Sequence, residues 1–378
     1  MTFFRKNSDY IAPAKIGQSG DKVFLFLVAG ALLFGLVALM SASSATSYLK
    51  YGDSYYIVKH QLEGIILGIV VFLLAAKVSY GYWRKNAHYM LFFSILLLLL
   101  VFIPGLSAHW GKARSWINVF GFSLQPSEFV KISFLFYLAA WLEKRKGKLK
   151  NIQEGILPFL VILGIITVLM ILQPDIGTLS IIGASSLIVY FVAGGRVRHI
   201  ATIILIGLVC LFGLLQLKEY QKDRFRCLID PSFDTQKVCY QTNQALIAVG
   251  SGGIFGRGLG ASRQKFSYLP EPTGDSIFAI IGEETGFIFS TGLIILYLAI
   301  FYRGWKISIN APDDYGKILG LGLISWLTIQ AFVNIGGIIN LIPMTGVPLP
   351  FISYGGSAIM SALGAAGILY NISKYSRE

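Results

Sequence analysis

Ten apolar segments, separated mostly by short polar or basic connections, constrain the fold of this chain more than any other feature. A helix needs about 20 mostly apolar residues to cross the hydrocarbon core of a bilayer. With 55% apolar and only 13% charged residues, the composition excludes a soluble enzyme that has a single membrane anchor. We therefore predict an all-α polytopic membrane protein with about ten transmembrane helices. The predicted spans cover residues 23–44, 61–76, 87–103, 127–141, 155–172, 175–192, 201–217, 275–302, 319–339 and 351–372.

The distribution of Lys and Arg predicts the orientation of these helices, because cytoplasmic loops of membrane proteins collect basic residues. If both termini are cytoplasmic, the inner segments contain 19 Lys and Arg residues and the short outer loops contain four. We therefore expect residues 1–22 and 373–378 to be cytoplasmic tails of a single membrane domain over residues 23–372. The same bias explains the net charge of +13. The sequence contains no basic stripe interleaved with aromatic residues, so it does not indicate nucleic-acid binding.

A long outer loop, at about residues 218–274, is the exception to the short connections. Loops longer than about 12–15 residues are usually functional or disordered. The apolar stretch 245–249 argues against disorder, so we expect this part to lie in the membrane interface or to re-enter the helix bundle. Cys227 and Cys239 lie in the same loop on the oxidising side of the membrane, where they either form a disulfide or remain thiols.

Ionisable residues inside apolar spans are costly and often mark functional sites. Glu128 and Lys131 are three residues apart, so they share a helix face and either form a structural ion pair or contact substrate. Asp175 opens the sixth span, where a carboxylate either caps the helix or serves a site. Glu283 and Glu284 lie inside the eighth span, and at least one of them must face protein or water.

A polar stretch before the eighth span brings basic groups and carboxylates to the outer surface. It contains Arg263, Gln264, Lys265, Glu271 and Asp275. The glycine-rich run that precedes it, residues 250–260, superficially resembles a phosphate-binding loop, but it has no preceding strand and no Gly-Lys-Ser/Thr ending. The four histidines are scattered among different loops and do not indicate a metal site.

Several motifs resemble those of the FtsW/RodA/SpoVE (SEDS) family, in the same order and over essentially the whole chain. Residues 240–271 look more like FtsW, the division branch, than like RodA. The motifs are Arg114-Ser-Trp-Ile117, Gln125-Pro-Ser-Glu-Phe-Val-Lys131, Gln173-Pro-Asp-Ile-Gly-Thr178, residues 250–284, and Gly346-Val-Pro-Leu-Pro-Phe-Ile-Ser-Tyr-Gly-Gly-Ser357.

The resemblance implies a multi-pass protein of the cytoplasmic membrane that polymerises lipid II into glycan strands at the division septum. It also implies partners: membrane lipids, the nascent strand, a class B penicillin-binding protein that cross-links the strands, and other division proteins. Asp275 is the implied catalytic residue. The residues expected to bind substrate are Arg114, Glu128, Lys131, Asp175, Arg263, Gln264, Lys265, Glu271, Ser353 and Tyr354.

One departure from the family pattern lies next to the key aspartate. The family commonly has His-Thr directly before it, whereas this chain has Thr273 and Gly274 before Asp275. A role for that histidine therefore does not carry over, while the role of the aspartate does.

The reaction that the resemblance implies needs few catalytic groups. The acceptor hydroxyl must lose its proton to a general base within about 3 Å, and pyrophosphate is already a stabilised leaving group. One carboxylate with neighbouring cations is sufficient, and Asp275 with Arg263 and Lys265 supplies this set. Arg257, or a divalent cation such as Mg²⁺ or Mn²⁺, is a further source of positive charge at the pyrophosphate.

Two other functions remain open from the residues alone. A lipid II flippase needs polar groups along a path through the membrane, and Glu128, Lys131, Asp175 and Glu283 fit that description. A non-catalytic scaffold for division proteins needs neither the outer carboxylate nor its basic neighbours.

Overall fold

The computed structural model describes residues 19–103, 107–110, 113–119, 122–217 and 219–376. Of the two tails that the sequence predicts to be cytoplasmic, residues 1–18 and 377–378 lie outside the described residues. The described α-helices are α1 (Lys22–Tyr51), α2 (Tyr56–Lys77), α3 (Tyr80–Leu100), α4 (Pro126–Lys144), α5 (Leu157–Leu172), α6 (Ile176–Val192), α7 (Val197–Leu217), α8 (Glu219–Ile229), α9 (Tyr240–Gly252), α10 (Ile277–Ile309), α11 (Asp314–Ile338) and α12 (Gly356–Ser373).

Each of the ten predicted spans falls on one of these helices, so the polytopic helical fold is confirmed. Six helical segments of the described chain are long and apolar enough to cross a membrane: residues 22–51, 56–77, 152–172, 277–309, 314–338 and 356–373. The first of the shorter apolar helices is α6, and α7 contributes an apolar part over residues 197–213. In α3 and α4 the apolar run is diluted by ionisable residues, including Arg84 and Lys85 in α3.

The last helix begins later than the sequence predicts. The tenth span was expected from residue 351, but α12 begins at Gly356, and residues 339–355 form an irregular connection after α11. The backbone explains the difference, because Phe351 has a left-handed φ of +66° and Gly355, the residue before α12, is also non-helical. The connection is therefore a non-helical segment between two largely buried helices.

Small residues allow α2 and α12 to pack closely. A Cβ atom on Gly64 would lie 3.0 Å from the Cα of Gly356, and one on Gly367 would lie 2.6 Å from the carbonyl oxygen of Phe72. Glycines that let two backbones approach are typical of helix pairs in membranes. There the hydrophobic effect does not drive helices together, so close van der Waals packing must do so. α2 therefore packs along α12, which is largely buried.

A small antiparallel sheet lies between α3 and α4, where the sequence analysis expected only a short outer loop. Its strands are β1 (Ser107–Trp110), β2 (Ala113–Val119) and β3 (Phe122–Leu124), in the order β1-β2-β3. Aromatic and β-branched residues such as Trp116, Ile117 and Val119 favour this conformation. The Ser115 hydroxyl donates to the carbonyl of Gln173 over 3.1 Å, which ties the sheet to the end of α5.

The long loop after α7 is largely structured. It contains α8 and α9, and Cys227 on α8 is disulfide-bonded to Cys239, the residue before α9. The two alternatives for these cysteines are thus decided in favour of the disulfide. Ala245 and Ala248 on α9 are fully buried in the cluster that includes α10. Entry of this apolar stretch into the membrane stays a prediction.

The helix α10 is broken at Gly286, whose φ of +71° lies in the left-handed region. The glycine-rich segment after α9 pairs with this break through its backbone. The N–H of Phe287 donates to the carbonyl of Gly253 over 2.9 Å, and the N–H of Arg257 donates to the carbonyl of Glu283 over 3.0 Å. A side chain at position 286 would collide with this segment, which explains why glycine occupies it.

A buried ion pair joins α4, α11 and α12. The Nζ of Lys131 lies 2.7 Å from Oε1 of Glu128 and donates to Oε1 of Gln330 over 2.7 Å. Ser361 donates to Oε2 of Glu128 over 2.6 Å, and the ammonium group lies 4.8 Å from the centre of the Trp326 ring. Both charged side chains are at most 2% exposed. Their contacts are thus made within the protein, as the structural interpretation predicts.

Lys131→Met tests this interpretation. The change leaves the Glu128 carboxylate buried without its counter-ion, so we expect the free energy of unfolding to fall by about 3–5 kcal/mol. Thermal or denaturant unfolding of the purified protein in detergent measures it. The double variant Glu128→Gln/Lys131→Met should recover much of the loss, because no buried charge remains.

Lys148→Met is the matched control for this test. Lys148 pairs with Glu154 at 3.0 Å, but its side chain is 62% exposed. Exposed pairs contribute about 0–1 kcal/mol, so this variant should be close to wild type. A Lys131→Met protein as stable as the Lys148→Met protein would contradict the structural interpretation.

Candidate functional site

Asp275 lies in a tight turn directly before α10. The N–H groups of Gly274 and Ser276 donate to the carbonyl of Glu271 over 3.1 and 3.2 Å, and Glu271 itself has a φ of +47°. Glu271 is exposed, whereas Ser276 is fully buried and Asp275 is partly exposed. The turn therefore presents the carboxylate at the end of the bundle while its flanking residues are anchored.

The irregular connection between α11 and α12 holds this turn from one side. The hydroxyl of Ser353 donates to the carbonyl of Gly274 over 2.7 Å and accepts from the N–H of Leu349 over 2.8 Å. The N–H of Tyr354 donates to the carbonyl of Thr273 over 2.9 Å. Ser353 is thus used in fixing the turn, while the ring of Tyr354 is 38% exposed. Contact of either residue with substrate stays a prediction.

Asn334 on α11 holds the turn from the other side. Its Nδ2 donates to the carbonyl of Asp275 over 2.7 Å and to the carbonyl of Val347 over 2.8 Å. The side chain is 4% exposed. The sequence analysis missed this residue, although an amide inside an apolar span is itself a signal, because a buried polar group needs partners. Asn334 connects the aspartate turn directly to the irregular connection.

Among the described cationic side chains, Arg224 on α8 is the one that interacts electrostatically with Asp275. A Cβ atom on Gly346 would lie 3.6 Å from Oδ2 of Asp275 and 3.9 Å from Nη2 of Arg224, so both charged groups face the same point. Nη1 of Arg224 donates to the carbonyl of Met344 over 2.7 Å. The sequence analysis missed Arg224, because it is one of eight basic residues in the long loop and no pattern singles it out.

The electrostatic surroundings of Asp275 suit a proton acceptor. The pKa of Asp275 is raised to about 6, mainly by burial and also by the Glu271 carboxylate, while Arg224 opposes both effects. A hydrogen bond from Ser276, at 3.4 Å from Oδ1, also favours the charged form. A carboxylate with a pKa just below neutrality is ionised at neutral pH and still basic enough to accept a proton.

The stretch 262–265 contacts another pair of carboxylates. Oε2 of Glu283 accepts from the hydroxyl of Ser262 over 2.6 Å and from the N–H of Gln264 over 3.3 Å, and Oε1 accepts from the N–H of Arg263 over 3.0 Å. The side chain of Arg263 is exposed. The backbone of Arg263 is therefore bound to Glu283, while its charged side chain faces solvent.

Lys265 is paired with Glu284 instead of facing solvent. Its Nζ lies 3.0 Å from Oε1 of Glu284 and donates to the carbonyl of Gly260 over 2.7 Å, and the side chain is 3% exposed. Ser41 on α1 donates to the same carboxylate oxygen over 2.7 Å. Lys265 thus has a structural partner beside the break in α10, which the sequence analysis did not foresee. Its expected contact with pyrophosphate stays a prediction.

The remaining candidate residues make structural contacts, except Arg114, whose side chain is not among those described. Asp175 caps α6: Oδ1 accepts from the N–H of Thr178 over 3.1 Å, and Oδ2 accepts from the hydroxyl of Ser127 over 3.2 Å. Glu128 and Lys131 form the buried pair described above. Arg114 lies on β2, but its side chain is outside the described residues.

The described residues do not provide a complete set of protein ligands for a metal ion. No group of three or more His, Cys, Asp and Glu side chains is placed to hold one within the described ranges. Asp275 and Glu271 are neighbouring carboxylates in one turn. Mg²⁺ is commonly bound by one or two carboxylates together with substrate phosphates and water, so the exposed Glu271 fits as a protein ligand of such an ion, while Asp275 remains free to accept a proton.

Comparison of the sequence with known proteins gives matches over nearly the full length. A family model described as "Cell cycle protein", for FtsW, RodA and SpoVE, matches residues 21–378. The stage V sporulation protein E of Bacillus subtilis (strain 168) is 39% identical over 359 residues, which are 95% of this chain and 98% of that protein. A probable peptidoglycan glycosyltransferase FtsW of Geobacter metallireducens is 37% identical over 353 residues, 93% and 94% of the two chains.

Solved structures with the same fold also cover most of the chain. A chain of the structure described as "Structural coordination of polymerization and crosslinking by a peptidoglycan synthase complex" has a TM-score of 0.77 and 26% identity, and 95% of this chain and 99% of that one are covered. The crystal structure of the rod shape determining protein RodA of Thermus thermophilus has a TM-score of 0.70 and 26% identity, with the same coverage.

Gly346→Ala tests whether this site is built as described. Gly346 has a φ of +72°, and a methyl group there would lie between Asp275 and Arg224. The left-handed conformation costs an alanine about 1–2 kcal/mol, so we expect the free energy of unfolding to fall by that amount. Gly356→Ala is the control, because a Cβ at Gly356 would meet nothing within 4 Å. Equal thermal stability of the two variants would contradict the geometry.

Proposed function

The chain belongs to the FtsW/RodA/SpoVE family of cell cycle proteins, and on this basis we propose that it is a peptidoglycan glycosyltransferase that polymerises lipid II. The observation that carries this proposal is the placement of Asp275 in an anchored turn beside Arg224. The names of its FtsW relatives support the same activity.

In the proposed reaction, Asp275 acts as the general base. Its carboxylate accepts the proton of the acceptor 4-hydroxyl while the sugar oxygen forms a bond to the anomeric carbon of the donor. The bond from that carbon to undecaprenyl pyrophosphate breaks, and the pyrophosphate leaves with the electron pair. A pyrophosphate needs no general acid, which distinguishes this reaction from glycoside hydrolysis with its two flanking carboxylates.

Positive charge stabilises the departing pyrophosphate in this proposal. The exposed side chain of Arg263 and the partly exposed side chain of Arg257 are available at this end of the bundle. A divalent cation, Mg²⁺ or Mn²⁺, would supply further charge stabilisation there, held mainly by the pyrophosphate oxygens and water with the exposed Glu271 carboxylate. Gln264, Ser353 and Tyr354 are the neighbouring groups proposed to contact the substrate.

The chain is a multi-pass membrane protein, as its six long apolar helices and its family indicate. We propose that both termini are cytoplasmic and that Asp275 faces the outside of the cell, because this orientation places 19 basic residues on the inner side. Lipid II then reaches the site with its lipid tail still in the bilayer. The division septum is the proposed location, by similarity to FtsW relatives.

The proposed partner is a class B penicillin-binding protein that cross-links the glycan strands, alongside other division proteins. A structural relative is part of a peptidoglycan synthase complex that coordinates polymerization and crosslinking, which supports a partner of this kind. The identity of the transpeptidase is part of the proposal.

A flippase is less well supported by the described contacts. Its polar path would use Glu128, Lys131, Asp175 and Glu283, but these side chains are bound to other residues of the protein. A scaffold would not require a carboxylate of raised pKa in an anchored turn. The described geometry therefore favours the polymerase over both alternatives.

Asp275→Asn tests the proposed activity. The amide keeps the shape of the side chain but removes its basic oxygen, so we expect polymerisation of lipid II to fall by at least about 10²-fold. Purified protein with its partner transpeptidase is incubated with lipid II, and the glycan products are sized by gel electrophoresis. Thermal unfolding confirms that the variant is folded.

Asp230→Asn is the matched control, because Asp230 is an exposed carboxylate of the same long loop and bonds only to nearby Ser232 within the described residues. It should polymerise at a near wild-type rate. Long glycan products from Asp275→Asn at the wild-type rate would show that the catalytic assignment is wrong. A flippase would instead retain transbilayer movement of lipid II in Asp275→Asn.

A further inference from the structure

Two elements of the long loop converge on the aspartate turn. On α8, Arg224 faces the same point beside Gly346 as the Asp275 carboxylate, and it donates to the carbonyl of Met344. On α9, Nε2 of Gln241 donates to the hydroxyl of Ser276, the residue after Asp275, over 3.1 Å. α9 therefore contacts the turn directly, and α8 places a guanidinium group near its carboxylate.

The Cys227–Cys239 disulfide links these two elements. Cys227 lies three residues after Arg224, so the two side chains share a face of α8, and Cys239 directly precedes α9. Both cysteines are at most 3% exposed. Nδ2 of Asn340 lies 3.4 Å from the carbonyl of Leu228, which gives α8 a second, weaker attachment after α11. The disulfide thus links α8 covalently to the start of α9, the helix that contacts the turn.

We propose that Arg224 positions the Asp275 carboxylate for its role as general base, and that the Cys227–Cys239 disulfide holds Arg224 in place. The inference deepens the proposed function and rests on it, since a positioned base matters only if Asp275 accepts a proton. Arg224 acts through Asp275 and is a positioning residue. α8 is a short helix of 11 residues at the start of the long loop, and the disulfide restricts its movement relative to α9.

Few other charges face Asp275, so the loss of Arg224 has a predictable electrostatic effect. Glu271 in the same turn opposes ionisation and Arg224 favours it. The described charged side chains elsewhere on α8 include Asp223 and Arg226, which pair with each other at 3.8 Å, and Lys222, which is exposed. In residues 330–356 and in α9, the only titratable side chains are the phenols of Tyr354 and Tyr240. Without Arg224 or its positioning, the pKa of Asp275 should rise.

The test measures the protonation of Asp275 directly. Carbodiimides react with protonated carboxyl groups, so the extent of modification at Asp275, followed by peptide mass spectrometry, falls as pH rises through the pKa. The purified full-length protein should give a midpoint near pH 6. Arg224→Gln should move the midpoint upward by about one unit, the low end of the effect of a neighbouring opposite charge. Arg224→Lys keeps the charge and should stay near wild type.

The same measurement also tests the role of the disulfide. Cys227→Ser/Cys239→Ser should move the midpoint in the same direction as Arg224→Gln, and combining all three substitutions should give no further shift. Reduction of the folded wild-type protein, with the free thiols counted by mass spectrometry, repeats this arm without any variant that must fold. Arg226→Gln on α8 and Cys210→Ser, an exposed thiol on α7, are matched controls and should leave the midpoint unchanged.

The outcomes separate this inference from the proposed function. An unchanged midpoint in Arg224→Gln, with Asp275→Asn inactive in polymerisation, would overturn the inference and leave the function standing. A lower thermal stability of the double serine variant without any shift of the midpoint would show that the disulfide is only structural. The expected shifts together with full polymerisation by Asp275→Asn would overturn the function, while the positioning of the carboxylate by Arg224 would stand.

Discussion

Every buried backbone polar group needs a hydrogen-bond partner, and the irregular connection between α11 and α12 is where this requirement shapes the structure most. Helices satisfy their own N–H and C=O groups, but residues 339–355 are not helical. Five carbonyls of this connection instead accept a hydrogen bond from a side chain of another element. The pairs are Arg224 with Met344, Asn334 with Val347, Gln330 with Pro348, Tyr297 with Pro350, and Gln61 with Ser353.

The aspartate turn depends on the same set of contacts. Asn334 binds both the connection and the carbonyl of Asp275, and Ser353 binds the turn from within the connection. An unsatisfied buried polar group costs about 1–3 kcal/mol, so loss of Asn334 would weaken the attachment of both segments. Asn334, Gln330, Tyr297 and Gln61 thus hold non-helical backbone around the turn that carries Asp275.

The sequence predicted the features that follow from local pattern. Apolar length predicted all ten helical spans, and residue motifs identified the family and placed Asp275 before the eighth span. The contribution of Arg224 could not be predicted, because its proximity to Asp275 arises from a tertiary contact between residues 51 positions apart. The pairing of Lys265 with Glu284 was missed for the same reason: its partners on α1 and α10 are distant in sequence. The sheet between α3 and α4 was missed because its strands are short, and such short strands have the same sequence character as an irregular loop.

The dependence of the polymerisation rate on pH tests the central claim most directly. If Asp275 is the general base, the initial rate of glycan synthesis by the purified chain with its partner should rise with pH through a midpoint near 6, because burial raises the pKa of Asp275 to about that value and only the carboxylate can accept the proton. The residual rate of Asp275→Asn should lack this rise. A wild-type rate that does not change between about pH 5 and pH 8 would contradict the account.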